Sequence, residues 1–403
     1  MRSLALACAM LAAVVVAPSA ALAAKPLPPK LRLVLDLRVS AVTTTAVTLR
    51  WTDRSVRERR YELSAGGRIV RLAPNARTYR DRPAQGVRRR YRVRACTLVR
   101  CAGWSAVVVG RVADPPPAPG SGPTLGGCAM FPADNPWNTP VDALPVHRNS
   151  AAYVAAISAE GDRYLHPDFG SNPGYGIPYE IVPATQPQVP IRFVDYGDES
   201  DPGPYPVPLD ARVEGGANAD GDRHVLALQQ GTCKLYELFN ARRAGAGWDA
   251  SSGAVFDLSS NRLRPDTWTS ADAAGLPILA GLVRRDEVLA GEIRHALRVT
   301  VPHTQRAFIH PATHYGATSD PNNPPMGLRL RLRADFDLAP YHGAARIILV
   351  AMKRYGLIVA DQGSGWYFTG ATDTAWDDDD LEQLKHVPGS AFEAVETGPI
   401  VRP

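Results

Sequence analysis

Asp222-Arg-His-Val-Leu-Ala-Leu-Gln-Gln-Gly-Thr-Cys-Lys-Leu-Tyr-Glu-Leu-Phe-Asn240 is the stretch that decides how the larger part of this chain folds. Two apolar, alternating runs flank Gln230-Gly231, and this pattern predicts two strands joined by a tight turn. An even-length loop fixes the register, and side chains alternate between the faces of a sheet. The expected facing pairs are Leu228 with Cys233, Leu226 with Leu235, and His224 with Glu237, all on one face.

An imidazole beside a carboxylate is the best candidate for chemistry in the sequence. His224 and Glu237 could act as a base and its partner, or Glu237 could act as acid or base against a bound sugar. The alternative interpretation is a satisfied polar pair at the edge of the sheet. One extra residue in the loop would move His224 opposite Leu238 and remove the pair.

A further histidine, His295, lies in an alternating run over residues 293–299 and is expected to point inward among aliphatic side chains. One interpretation is a core histidine that is hydrogen-bonded to the backbone. The other applies if this strand neighbours the hairpin. His295 would then be a third member of the site, while Arg294, Arg298 and Thr300 would face solvent.

The chain begins with features of an export signal. Arg2 precedes an apolar run over residues 4–16, and Ala21-Leu-Ala-Ala24 supplies small residues for cleavage, so residues 1–24 are predicted to be a signal peptide. The sequence therefore predicts a secreted bacterial protein. No later stretch approaches twenty apolar residues, and no transmembrane segment is expected.

Four cysteines remain after the leader, an even number that favours two disulfides in an exported chain. The predicted pairs are Cys96 with Cys101 and Cys128 with Cys233. The cysteines and histidines lack zinc-site spacing, so neither a metal site nor another cofactor is predicted. Acidic residues in the loops over 195–201 and 218–222 leave a structural calcium ion as an open alternative.

Charge divides the chain into two parts. Residues 31–113 contain 19 Arg and 5 acidic residues and carry +14, whereas residues 114–403 carry −12. Mutual attraction of the parts in an arginine-rich protein is one interpretation; docking of the basic part on an acidic polymer or anionic surface is the other. No nucleic-acid motif accompanies the arginines, so no nucleic-acid partner is predicted.

Residues 31–113 have the short, regularly spaced strand patterns of an antiparallel sandwich. The segment resembles a fibronectin type III domain, and the residues that carry the resemblance are Leu49-Arg-Trp51-Thr-Asp53, Tyr61-Glu-Leu, Tyr91-x-Val93-x-Ala95 and Trp104-Ser105. The resemblance implies a spacer, adhesion or binding role without catalysis. The segment departs from that pattern in its cysteine pair and its arginine load, with Arg90, Arg92 and Arg94 expected on one face, opposite Tyr91 and Val93.

A proline- and glycine-rich linker over residues 114–126 leads to a second domain over 127–403. Its strand patterns predict a larger β-sandwich or jelly-roll-like domain, with helices near 150–159, 345–355 and 378–385. The fold class is therefore mainly β. The runs Asn135-Pro-Trp-Asn138, Ser270–Pro277 and Gly291–Leu297 resemble secreted bacterial proteins of no assigned activity.

The function predicted from these features is that of a secreted carbohydrate-active protein. The second domain would bind, and could hydrolyse, a polysaccharide or cell-surface glycan, with Glu237, His224 and His295 as catalytic residues. Trp137, Tyr175 and Trp366 lie in or near loops and are the expected sugar-stacking residues, although such rings also plug the ends of sandwiches. The alternative function is a non-catalytic extracellular adhesion or binding protein.

Overall fold

The computed structural model describes residues 31–42, 45–56, 58–83, 89–110 and 122–403. The predicted signal peptide and most of the predicted linker lie outside these ranges. Strands hold 31% of the residues and helices 12%, which confirms the mainly β fold class. The chain divides into two compact units, one formed by most described residues up to Gly110 and one that contains residues 122–403. Every helix in the described ranges is too short or too polar to cross a lipid bilayer.

The first unit is a β-sandwich of two sheets. Its strands are β1 (Arg38–Val42), β2 (Val47–Arg50), β3 (Arg60–Ala65), β4 (Arg68–Leu72), β5 (Thr78–Asp81), β6 (Arg89–Cys96) and β7 (Val108–Gly110). One sheet has the order β1-β2-β5 and the other β4-β3-β6-β7. Trp51, directly after β2, and Tyr61, on β3, pack with their ring centroids 5.8 Å apart in the core. Tyr91 and Val93 are buried while Arg90 and Arg92 are exposed, as alternation along β6 predicts.

The second unit holds the remaining strands. They are β8 (Thr124–Leu125), β9 (Cys128–Ala129), β10 (His166–Asp168), β11 (Tyr179–Val182), β12 (Ile191–Phe193), β13 (Val225–Gln229), β14 (Lys234–Phe239), β15 (Arg242–Ala244), β16 (Gly247–Ala250), β17 (Ser252–Asp257), β18 (Leu297–Val301), β19 (Arg329–Leu332), β20 (Leu357–Gln362), β21 (Tyr367–Thr369) and β22 (Phe392–Val395). The largest sheet has the order β10-β21-β18-β20-β19-β22. Beside it are sheets β11-β13-β14-β17, β12-β16-β15 and β8-β9. Several pairs, among them β10 with β21 and β18 with β20, are parallel, so these sheets are mixed rather than purely antiparallel.

Four α-helices accompany the second unit: α1 (Ser150–Ile157), α2 (Arg285–Ala290), α3 (Gly343–Arg354) and α4 (Asp378–Glu382). Short 3-10 helices cover Gly197–Glu199, Leu279–Gly281, Gln383–His386 and Gly389–Ala391. The three predicted helices correspond to α1, α3 and α4. Helix α3 ends before Gly356, whose φ of +72° lies in the left-handed region that glycine tolerates. Helix α4 begins at Asp377, whose carboxylate accepts the Asp380 backbone N–H.

The central hairpin forms as predicted, but its register differs by two residues. The loop has four residues, Gln230–Cys233, so Leu226 rather than His224 lies opposite Glu237. Because the shift is even, His224 and Glu237 keep the same face. That face packs into the main core with Leu228 and Leu235, and the opposite face packs into a second cluster, so the hairpin is covered on both sides.

Both predicted disulfides are present. Cys96 bonds Cys101 at one end of β6, and Cys128 bonds Cys233 in the loop of the hairpin. The second bond ties the beginning of the described second unit to its centre across 105 residues of sequence.

Candidate functional site

His224 is held between two oxygen acceptors immediately before β13. Its Nδ1 lies 2.6 Å from Oε2 of Glu214, and its Nε2 lies 3.0 Å from the carbonyl oxygen of Ala271. A carbonyl and an ionised carboxylate only accept, so both ring nitrogens carry protons. Burial alone would lower the pKa of His224, but the Glu214 carboxylate outweighs burial and raises it to about 9. His224 is therefore a fixed imidazolium without a lone pair to act as a base.

Glu237 on β14 is sealed inside the second unit. Its side chain is fully buried, and its two oxygens accept the backbone N–H groups of Ile278 and Leu279, each at 2.9 Å. Burial raises the pKa of Glu237 to about 7, although both backbone hydrogen bonds lower it. In this geometry the Glu237 carboxylate holds the segment that begins at Ile278.

His295 belongs to a different polar group. It precedes β18, is fully buried, and places Nε2 3.0 Å from Glu287 on α2 and Nδ1 2.7 Å from the Ala296 carbonyl. Glu287 also pairs with the buried Arg284 at 2.7 Å. His295 therefore shares no hydrogen-bonding partner with His224 or Glu237, and the three predicted catalytic residues do not form one constellation.

Arg298 would face solvent in the arrangement in which its strand neighbours the hairpin, but the structure buries it. Its side chain is buried and donates to both carboxylate oxygens of Asp272, at 3.2 Å from Nε and 3.1 Å from Nη2. Nη1 donates to the Thr369 hydroxyl at 2.7 Å. The reason is that a loop carrying Asp272 covers this face of the sheet, which strand alternation alone does not reveal.

Arg298 lies in the first of two polar rows that cross the largest sheet. Asp168 pairs with Thr369 between β10 and β21, and Thr369 is opposite Arg298 on β18. Directly opposite residues in neighbouring strands share a face. The first row is therefore Asp168, Thr369 and Arg298.

The second row contains His166, Tyr367, Thr300 and Asp361. His166 and Tyr367 stack with ring centroids 4.0 Å apart. A β-bulge between Val299 and Thr300 leaves Ala360 without a partner on β18 and pairs Asp361 with Thr300. The extra residue turns Asp361 onto the Arg298 side, where its Oδ2 lies 3.6 Å from Nη2 of Arg298. We call the two rows together the polar sheet face.

Three carboxylates at this face are partly open to solvent: Asp168, Glu214 and Asp361. Their electrostatic environments differ. Burial, reinforced by Asp272, raises the pKa of Asp361 to about 7. Burial and the neighbouring Glu214 also raise the pKa of Asp168. Burial acts in the same direction on Glu214, but the His224 imidazolium overcomes it and holds the pKa of Glu214 below its ordinary value. The site therefore combines Glu214, an anion held by His224, with Asp361, a carboxyl group that gains a proton near neutral pH.

The three predicted sugar-stacking residues have different environments. Trp137 and Trp366 are buried in the core, where their rings cannot meet a ligand from solvent. Tyr175 is 55% exposed. It interacts electrostatically with Tyr367, which also interacts with Asp168. An accessible aromatic side chain therefore lies in the neighbourhood of Tyr367.

Among the described residues, the one group of three potential metal ligands within 4.8 Å of one another is Glu62 with Cys96 and Cys101. The two sulfur atoms of this group are bonded to each other and offer no thiolate. The group therefore fits a structural role.

Sequence reasoning missed Glu214, Asp272, Asp361 and Asp168. The first two lie in loops without periodicity, and their partners His224 and Arg298 are 10 and 26 residues away. Asp361 ends an apolar strand, Leu357–Ala360, and a polar residue at such a position was the signal available for it. The bulge that turns it toward Arg298 leaves no mark in the sequence.

Comparisons with known proteins give weak likenesses. No protein-family model matches the chain, and no curated protein matches it significantly. Similar solved structures include a Yersinia enterocolitica family 28 exopolygalacturonase (11% identity, 21% of this chain, 21% of that chain, TM-score 0.19). They also include a two-domain fibronectin type III segment of chicken tenascin (20% identity, 20% and 49% of the chains, TM-score 0.18). A third is the type III domain of human fibronectin type III domain containing protein 3 (13% identity, 24% and 97%, TM-score 0.19). The chain spans less than half the length of the first two, and scores this low support no statement about function.

Proposed function

We propose that the protein is exported and binds a glycan at the polar sheet face of its second unit, with the first unit acting as a spacer or docking module. The observation that carries the proposal is the placement of partly exposed Asp168 and Asp361 on either side of Tyr367, on one face of one sheet. The two disulfides are consistent with an oxidising, extracellular environment. The predicted signal peptide over residues 1–24 also supports export.

The chemistry of this face suits a polyhydroxylated ligand. Carboxylate oxygens accept hydrogen bonds from hydroxyl groups. The Thr300 hydroxyl in the second row donates to the Ser364 carbonyl and keeps its oxygen free to accept one. The rings of Tyr367 and Tyr175 offer apolar surfaces with a polar end, which suits the faces of a sugar ring. Asp272 and Thr369 fix Arg298 within the first row. Arg298 in turn lies 3.6 Å from Asp361, so this carboxylate has a fixed counter-ion before a ligand arrives.

The test is calorimetric titration of the full-length protein with a panel of soluble neutral oligosaccharides. Asp168→Asn and Tyr367→Ala should each weaken the best ligand by about tenfold, the loss expected for one good hydrogen bond to a charged group or one stacked ring. The controls are Asp198→Asn and Tyr196→Ala, which remove an exposed carboxylate and an exposed ring elsewhere in the same unit. Equal affinities for all four variants and the parent protein, with thermal unfolding unchanged, would contradict the proposal.

Glycan hydrolysis is a second candidate, favoured by one observation. Asp361 has a pKa of about 7, whereas the pKa of Glu214 is held low by His224. A carboxyl group that is protonated near neutrality and a carboxylate that stays ionised are the pair that glycosidases use. Reducing-end release by the parent protein that Asp361→Asn abolishes and Asp198→Asn leaves intact would support hydrolysis. Binding without release would support a non-catalytic protein.

A further inference from the structure

The disulfide loop, residues 96–101 in the first unit, presents two adjacent aliphatic side chains to solvent. Leu98 is 77% exposed and Val99 is 92% exposed, the two highest values among the exposed large apolar side chains in the described part of the chain. Single exposed aliphatic residues are ordinary on protein surfaces. Two adjacent exposed aliphatic side chains at the tip of one loop need a physical explanation.

The loop is rigid, so its tip is not a frayed segment. Cys96 and Cys101 are bonded at its base. The Thr97 backbone N–H donates to the Arg100 carbonyl at 2.8 Å, and the Thr97 hydroxyl accepts from the Arg100 backbone N–H at 3.1 Å. Nη1 of Arg60 donates to the Thr97 carbonyl at 2.9 Å. The loop therefore holds Leu98 and Val99 outward at little further cost in conformational entropy.

Arginines surround the base of this loop. Arg100 belongs to the loop and is exposed, and Arg59, also exposed, donates its backbone N–H to the Cys96 carbonyl. Neither has an ion-pair partner within the described residues. Arg94, on the adjoining end of β6, stacks 4.2 Å from the ring centroid of Trp104 and is thereby held in position.

The acidic residues in the described part of the first unit pair with Arg94, through Glu62 at 2.8 Å, but not with Arg59 or Arg100. All five are engaged in internal hydrogen bonds: Asp36 to Thr52, Asp53 to Tyr61, Glu58 to Asn75, Glu62 to Arg60 and Arg94, and Asp81 to Arg89 and Tyr91. After these five acidic residues are counted, residues 31–113 keep a net charge of +14. The surface of this unit favours an anionic partner.

We propose that the disulfide loop docks the protein on an anionic lipid surface, with Leu98 and Val99 inserted at the headgroup boundary and Arg59 and Arg100 against lipid phosphates. Interfacial anchors combine an apolar tip with neighbouring cations, because useful affinity needs both the insertion of apolar side chains and the attraction to anionic headgroups. A polyanionic polysaccharide would satisfy the arginines but would leave the two aliphatic side chains in water. The inference rests on the docking role proposed above for the first unit.

The experiment is sedimentation of the full-length protein with vesicles of phosphatidylglycerol and phosphatidylcholine, compared with vesicles of phosphatidylcholine alone. The protein should bind the anionic vesicles and release them as the salt concentration rises, since screening weakens the arginine contacts. Leu98→Ser with Val99→Ser should weaken binding at least about tenfold, because burying even one aliphatic side chain of this size is worth that factor. Arg59→Ser with Arg100→Ser should remove much of the preference for anionic vesicles.

Matched controls remove the same chemistry elsewhere in the unit. Ile69→Ser with Val109→Ser deletes two exposed aliphatic side chains on β4 and β7, and Arg50→Ser with Arg80→Ser deletes two exposed arginines on β2 and β5. Both control pairs should bind vesicles like the parent protein.

Three results would overturn the inference. They are equal vesicle binding by loop and control variants, binding of a soluble polyanion but not of vesicles, and a loop-dependent change of oligomeric state without vesicle binding. The neutral oligosaccharide titration separates this inference from the glycan proposal. Loop variants should keep their glycan affinity, and Asp168→Asn should keep its vesicle binding.

Discussion

The buried imidazole of His224 donates to the partly exposed carboxylate of Glu214 across 2.6 Å, and the two form an ion pair. The contact makes a prediction about pH, since the folded pKa of His224 is about 9 against about 6.5 for an unfolded histidine. The stabilisation of the folded protein by this ion pair is complete below pH 6.5 and is lost as the pH rises through 9. The loss in unfolding free energy should be about 3 kcal/mol.

Urea unfolding of Glu214→Gln between pH 6 and pH 10 tests this linkage. The variant lacks the anion that raises the histidine pKa, so its stability should be lower at pH 6 and should change less over the interval. Glu382→Gln, which alters a mostly exposed carboxylate, should follow the parent curve. A parallel decline in parent and Glu214→Gln would contradict the assignment.

Glu237 should matter for stability and not for ligand binding. Glu237→Leu removes both acceptors for the buried N–H groups of Ile278 and Leu279, and each buried donor without a partner costs about 1–3 kcal/mol. Chemical denaturation should therefore report a loss of about 2–6 kcal/mol, while the folded protein keeps its glycan affinity. If Glu237→Leu lost glycan binding at full stability, the residue would belong to the site after all.

Asp272 and Arg298 offer a double-mutant cycle. Asp272→Leu or Arg298→Met alone strands a buried charge and should cost about 3–5 kcal/mol in unfolding free energy. The double variant should be more stable than either single variant, since replacing both partners of a buried ion pair by apolar groups is far less costly. Additive losses in thermal and urea unfolding would show that the two side chains act independently.

The two disulfides should contribute unequally. Cys128 and Cys233 close a loop with a sequence separation of 105, and Cys96 and Cys101 one with a separation of 5. Restriction of the unfolded chain predicts about 5 kcal/mol for the long loop and about 2 kcal/mol for the short one. Urea midpoints of the paired Cys→Ser variants measure both, and an equal shift would be inconsistent with this entropic account.

Much of the fold could be predicted from the sequence because it follows from periodicity. The hairpin around Gln230 and the helix that ends before Gly356 carry strong local patterns. The register was wrong by two residues because a four-residue loop and a two-residue loop keep the same alternation, so no side chain changes face to reveal the difference.

The candidate site could not be predicted in the same way. Alternation assigns Arg298 to a face but cannot tell whether that face is solvated or covered by a loop that carries Asp272. Charged residues are exposed by default, and Glu214 and Asp272 depart from that default only through partners in other segments. His224 does pair with a carboxylate, but its partner is Glu214 in a loop and not the strand residue Glu237.

The unpaired position of Ala360 matters more to the sheet than its small side chain does. It is the unmatched residue of the bulge in β20, and it therefore determines which face of the sheet each later residue of the strand points to. If Ala360 itself paired with Thr300, Asp361 would lie opposite Val301, and its carboxylate would point to the side of the sheet that carries Val299 and Val301. The irregularity in the strand therefore decides which side of the sheet bears this charge.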